Sequence, residues 1–160
     1  MTPENAPLSG NQKRKMKSAA RLYAVQALFQ MEQSSQTTDQ IIAEFLNHRF
    51  GAIYEDDEML EGDITLFQQL VEDAVDNQAA IDQCTDRALV AKWPIARIDP
   101  TLRGAFRAAG AELMQGKTPP KVVIVEFVEI ARAFFPDGKE PKFVNAVVDH
   151  MARELRPDAF

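Results

Sequence analysis

Val122-Val123-Ile124-Val125-Glu126-Phe127-Val128-Glu129-Ile130-Ala131-Arg132-Ala133-Phe134-Phe135 is the stretch on which the fold of this 160-residue chain turns. Its β-branched residues suit a strand by propensity. Its length does not, because ordinary strands run to about 5–6 residues. Glu126, Glu129 and Arg132 recur at i, i+3 and i+6, the spacing of a polar edge on a helix. The reading is a central helix buried on almost every side, with Glu129 paired to Arg132, and a strand is the lesser option.

Working outward, the neighbours also read as helices. Pro119 and Pro120 open the stretch, and Gly116 stops a helix that begins with Asp99 as cap and Pro100 as first residue and runs to about Gln115. Pro136 to Pro141 is a turn, and a last helix covers Lys142 to about Leu155, burying Val144, Val147, Val148, Met151 and Leu155. Upstream, Asp63 caps a stretch through Ile64, Phe67, Leu70 and Val75 that continues, after a break near Asn77, to Leu89. Leu22, Val25 and Phe29 recur at i, i+3 and i+7 in a helix over about Met16 to Glu32. Thr38 to Arg49 is a further helix, with Ile41, Ile42, Phe45 and Leu46 inward and Thr38 or Asp39 as cap. Gly51 to Gly62, acidic and punctuated, reads as a loop. Pro94 marks a new start, where Trp93 is weighed as a packing anchor over a base-stacking ring. The fold class is all-α. Residues 1–12 read as a disordered tail, 13–157 as one domain and 158–160 as a C-terminal tail.

Charge is unevenly spread. The chain carries 24 acidic against 18 basic residues, yet no Asp or Glu lies between Glu4 and Glu32. Five cations, Lys13, Arg14, Lys15, Lys17 and Arg21, fall in that gap. If the first helix reaches back to Arg14, then Arg14, Lys17 and Arg21 form a row along it. A short basic face suits a polyanion, and the acidic remainder suits a basic partner or simple solubility. At this length a single core buries roughly 70% of the unfolded surface. The single cysteine, Cys84, excludes an internal disulfide, and no run approaches the ~18 apolar residues of a membrane span. A soluble, cytoplasmic protein without membrane association is expected.

Catalytic parts are scarce. His48 and His150 have no metal-ligand spacing to a Cys, Asp or Glu, and read as surface or half-buried residues. Cys84 reads as a packed side chain, and Glu126 with Glu129 as a polar edge in preference to an acid–base couple. There is no glycine-rich phosphate loop and no nucleophile elbow. No enzyme activity, cofactor or metal is expected. Lys142-Phe143, a cation and an aromatic at a helix start, offers free backbone N–H groups for a phosphate and a ring for a base.

These residues resemble a known family. Arg21-Leu22-Tyr23-Ala24-Val25-Gln26-Ala27-Leu28-Phe29 is similar to the opening helix of the bacterial transcription antitermination factor NusB family. Phe106-Arg107-Ala108-Ala109, Glu112-Leu113, Pro120-Lys121-Val122-Val123-Ile124, Glu126, Glu129-Ile130-Ala131, Lys142-Phe143-Val144-Asn145 and Val148-Asp149 follow in the same order, and Arg156-Pro157 closes the match. The resemblance implies about seven helices in two packed small bundles. It further implies binding of single-stranded boxA RNA of ribosomal RNA leaders together with the ribosomal protein NusE, acting indirectly on other Nus factors and RNA polymerase. Carried over by position, RNA contacts fall on Lys13, Arg14, Lys15, Lys17 and Arg21, on Lys142 and, by stacking, on Phe143. Asp63, Glu72, Asp73 and Asp76 are the candidates for the protein partner because they cluster on or near one helix.

The chain departs from the family pattern at Val125, Phe127, Ala111 and Ala146, which read as compensating changes within the core. Its basic arm is richer in Lys than in Arg, which weakens bidentate recognition. Three rival readings remain. One is a protein–protein adaptor without RNA binding, and another a homodimer formed without RNA. The third is the N-terminal portion of an RNA cytosine methyltransferase, for which no methyl-donor-binding glycine loop follows.

Overall fold

A computed structural model describes residues 9–50, 53–54, 57–58, 63–89 and 94–160. Among them are seven α-helices: α1 (Gly10–Gln33), α2 (Thr38–His48), α3 (Ile64–Asp76), α4 (Gln78–Ala88), α5 (Pro100–Gln115), α6 (Pro120–Phe134) and α7 (Glu140–Leu155). Short 3-10 turns lie at Ile95–Arg97 and Pro157–Ala159. In the acidic stretch expected to be loop, β1 (Ile53–Tyr54) and β2 (Asp57–Glu58) pair antiparallel as a minimal ribbon. Trp93 lies outside the described residues.

The helix ends follow from local chemistry. Asp63 caps α3 by accepting the Leu66 amide, and Asp99 caps α5 by accepting that of Thr101. Gly116 ends α5 with φ +74°, a conformation that costs glycine little. The break at Asn77 divides α3 from α4 as expected. Three starts differ from expectation, and one of them is α7, which begins at Glu140 inside the stretch expected to be a turn through Pro141. Thr37, one residue before the expected cap, holds α2 in a reciprocal capping box with Gln40. Ser9 does the same with Gln12, so α1 begins at Gly10 and takes in the last residues assigned to a disordered tail.

Two bundles share one helix. α1, α2 and α3 pack together around an aromatic cluster in which Phe50 lies 4.9 Å from both Tyr23 and Phe67, and Phe45 stacks on Phe67 at 5.7 Å. α4, α6 and α7 form the second group, and α5 touches both. The centre of the fold is therefore α5 and not α6. α5 buries a nearly continuous run from Gly104 to Leu113, whereas α6 buries one face, through Val123, Ile124, Phe127 and Ile130. Val122 and Val125, expected inside, are 42% and 60% exposed.

Small residues on α5 allow this. A Cβ on Gly104 would stand 3.0 Å from the Val25 carbonyl oxygen, and one on Gly110 only 2.5 Å from Ile81 Cγ2. α1 and α5 run antiparallel, with Arg21 against Glu112 and Phe29 beside Gly104. Of the four departures from the family pattern, Ala111 and Phe127 are core residues, but Val125 and Ala146 are exposed, so only half of them repack the interior. No helix among the described residues is long and apolar enough to cross a membrane.

Candidate nucleic-acid interface

The first fully buried residue of α1 is Ala20. The turns before it carry Lys13, Arg14, Lys15 and Lys17 exposed, and none of the four makes an ion pair among the described residues. The helix is held at that point by the Met16 carbonyl, which accepts the Asp63 amide at 3.0 Å. Four exposed cations on adjacent turns, without an ion pair among the described residues, form an anion-attracting surface.

Arg21 does not belong to that face, although it continues the row at i+7. It is 3% exposed. Its Nε and Nη2 donate to the two carboxylate oxygens of Glu112, each at 2.8 Å, and its Nη1 lies 3.0 Å from Glu126 Oε1. Ser18 Oγ donates to Glu126 at 3.0 Å, and Thr118 Oγ1 to Glu112 at 2.8 Å. Burial alone would lower the guanidinium pKa, but the hydrogen bond and charge of Glu112, with Glu126 behind it, raise it. The assignment of Arg21 to a phosphate is thus corrected: every face of its guanidinium is committed inside the fold. Sequence reasoning missed Glu112 and saw Glu126 only as an edge, because a partner 91 residues away leaves no local signal.

Lys142 is exposed near the start of α7, and Phe143 is half-buried. Phe143 packs edge-on to Phe106, with ring centres 5.9 Å apart, and borders a groove of about 370 Å³ with Arg97, Ile98 and Leu102. Its amide is not free, since α7 starts at Glu140 and the Phe143 N–H donates to the Lys139 carbonyl at 3.2 Å. Because α1 and α5 are antiparallel and Phe143 sits at the level of Phe106, the Lys142–Phe143 pair stands on the order of 15 Å along the axis from Arg14 and Lys17. The two groups are therefore separate and do not form a single pocket.

The acidic candidates divide similarly. Glu72 and Asp76 are exposed one turn apart on α3. Asp73 accepts from Gln115 Nε2 at 2.8 Å, and Asp63 is the cap of α3, so both have internal work. Arg132 pairs with Glu129 on the outer edge of α6, as expected. Cys84 is fully buried, and burial first, then its bond to Glu154, pushes the thiol up to about 12. His48 and His150 are exposed. Among the described residues no group of three or more His, Cys, Asp or Glu is placed to hold a metal.

With this geometry in place, comparison with known proteins gives a consistent result. The NusB family model matches residues 18–153. A protein of Maricaulis maris described as transcription antitermination protein NusB is 46% identical over 147 residues, 91% of each chain. One of the same description from Granulibacter bethesdensis is 40% identical, over 94% of this chain and 95% of its own. Among solved structures, T. maritima NusB superposes with a TM-score of 0.73 at 28% identity, covering 89% of this chain and 94% of that one. A structure of antitermination factors NusB and NusE in complex with dsRNA superposes with a TM-score of 0.70 at 24% identity, covering 89% and 97%. The opening pattern after Arg21, the ordered motifs of α5 to α7, the seven helices and these relatives agree: the chain belongs to the NusB family.

Proposed function

We propose that the protein is an RNA-binding transcription antitermination factor. Together with the ribosomal protein NusE it binds single-stranded boxA RNA of ribosomal RNA leaders and helps RNA polymerase read through terminators, with other Nus factors engaged indirectly. The observation that carries the reading is the exposed set Lys13, Arg14, Lys15 and Lys17 at the start of α1, without an ion pair among the described residues, in a chain whose net charge is −6. These side chains contact phosphates, while Lys142 and the open edge of Phe143 supply a second contact for an extended single strand. Glu72 and Asp76, exposed on α3, are the acidic candidates for a basic ribosomal partner.

Fluorescence anisotropy with a labelled boxA RNA and a scrambled control, with and without NusE, tests this. The expected result is preference for boxA that tightens when NusE is added. With about four phosphates engaged, log affinity falls against log salt with a slope of about −3. Partner binding with no preference for boxA and a flat salt response would instead make the protein an adaptor on the same scaffold. A dimer that dissociates on adding RNA would mark self-association through the RNA face.

A further inference from the structure

We infer that the groove between the α5–α6 turn and the segment following α7 is a second phosphate site, which takes a backbone phosphate of the same RNA and extends the basic face of α1; the inference rests on the RNA-binding reading above. The groove encloses about 390 Å³, and its walls include Lys117, Lys121, Arg156 and the ring of Phe160. Three cations converge there, from the α5–α6 turn, the first turn of α6 and the residue that ends α7. Lys117 and Lys121 are exposed and make no ion pair among the described residues.

Arg156 is under-used where it stands. Its acidic neighbour, Asp158, lies 3.8 Å from Nε, beyond hydrogen-bond reach. Its Nη1 is closed off from solvent and has no hydrogen-bond partner among the described residues. No side chain caps the start of α6, so the positive end of that helix also faces this region unneutralised. Phe160 is 51% exposed, with the Arg153 guanidinium 4.5 Å from its ring centre, and gives a base a surface beside the cations.

The packing puts this groove next to the α1 cations. Arg21 and Thr118 share the carboxylate of Glu112, which brings the α5–α6 turn against α1. α6 runs parallel to α1, since Ser18 meets Glu126 at one end and Phe29 shares a groove with Phe134 at the other. Lys121 precedes Glu126 by five residues, about 7.5 Å of helix, and so lies alongside the turns that bear Arg14 and Lys17. One strand of RNA following the end of the molecule passes from one set of cations to the other. A phosphate group is the chemistry such a groove recognises, and a free anion offers the same group, so the test separates the two.

Single-stranded RNA binding is titrated at several salt concentrations for the wild type, for Lys117→Gln/Lys121→Gln, for Asp158→Asn and for Arg14→Gln/Lys17→Gln as reference. Circular dichroism melts confirm that each variant folds. The lysine pair is expected to flatten the salt slope by about 0.7 for each phosphate no longer engaged, which amounts to about a fourfold loss of affinity per phosphate at 0.15 M relative to 1 M salt. Asp158→Asn, by freeing Arg156, is expected to tighten binding, a gain that misfolding cannot imitate. Normal binding by both groove variants, with weakened binding by the α1 reference, overturns the second site and leaves the RNA reading standing. No RNA binding by the wild type overturns both. Thermal stabilisation by inorganic phosphate at matched ionic strength that the lysine pair abolishes, with RNA affinity unchanged, makes the groove a free-anion site and overturns its assignment to RNA.

Discussion

Arg21 and Lys17 lie four residues apart on one helix and do opposite work. Lys17 is exposed and has no ion pair among the described residues, whereas Arg21 is enclosed by Glu112 and Glu126. Removing Arg21 leaves two carboxylates in or near the core without their cation, a change that typically costs about 3–5 kcal/mol. Arg21→Gln is therefore expected to lower the urea midpoint strongly, whatever it does to RNA. Lys17→Gln should stay within about 0.5 kcal/mol of wild type and lose RNA affinity instead. Paired urea melts and RNA titrations check the contrast, and equal stability of the two variants would contradict the burial argument. The difference was not legible in the sequence, where both side chains appear in one basic row. Burial of Arg21 is decided by Glu112 and by the packing of α1 on α5, facts about tertiary structure and not about spacing.

At the scale of elements, punctuation was the readable part. Asp99-Pro100 and Gly116 bounded α5, Asp63 opened α3, and Asn77 broke the long helix, because caps and αL residues act through neighbouring backbone groups. The rank of the helices was not readable. α6 looked central because its side chains are large and apolar, yet the interior belongs to α5, whose Gly104, Ala105, Ala108, Ala109 and Gly110 contribute little apolar signal and permit close approach from several sides. A helix of small residues is buried by its neighbours' bulk. Gly110→Ala tests this: the added methyl meets Ile81 Cγ2 at 2.5 Å, backed by Met151 Cε at 3.3 Å. Overpacking of this kind costs about 1–3 kcal/mol, or a fall of about 2–4 °C in Tm per kcal/mol for a chain of this size. Thermal melts that show no loss, despite the better helix propensity of alanine, would mean that α4 moves aside freely.

For the whole molecule, the far end of α1 is tied down by charge. Glu32 meets Arg103 and Arg107, and Arg107 also reaches Asp82 at 2.9 Å, so one cluster joins α1, α4 and α5. The hydrogen bond from Arg103 holds the Glu32 carboxyl below its ordinary range, although partial burial acts the other way. A carboxyl depressed by folding stabilises the native state fully above its unfolded pKa. It loses that contribution as pH falls through the folded value. Stability should therefore decline on the acid side of the ordinary carboxylate range, and Glu32→Gln should flatten that decline while leaving its midpoint near neutrality lower than wild type. Denaturation at a series of pH values measures both effects, and an unchanged acid slope in Glu32→Gln would place the titration elsewhere.

The pairing of α1 with α5 also sets a timetable. During synthesis the first helix is complete at Gln33, but α5, which carries the Glu112 partner of Arg21, begins only at Pro100. At about 5–20 residues per second the intervening chain takes roughly 3 to 13 seconds to appear, plus the time to clear the ribosome. Until then Arg21 has neither Glu112 nor Glu126 to neutralise it, and the nascent chain presents all five cations of its opening helix together. The row that the folded protein divides between surface and core thus exists whole only on the growing chain.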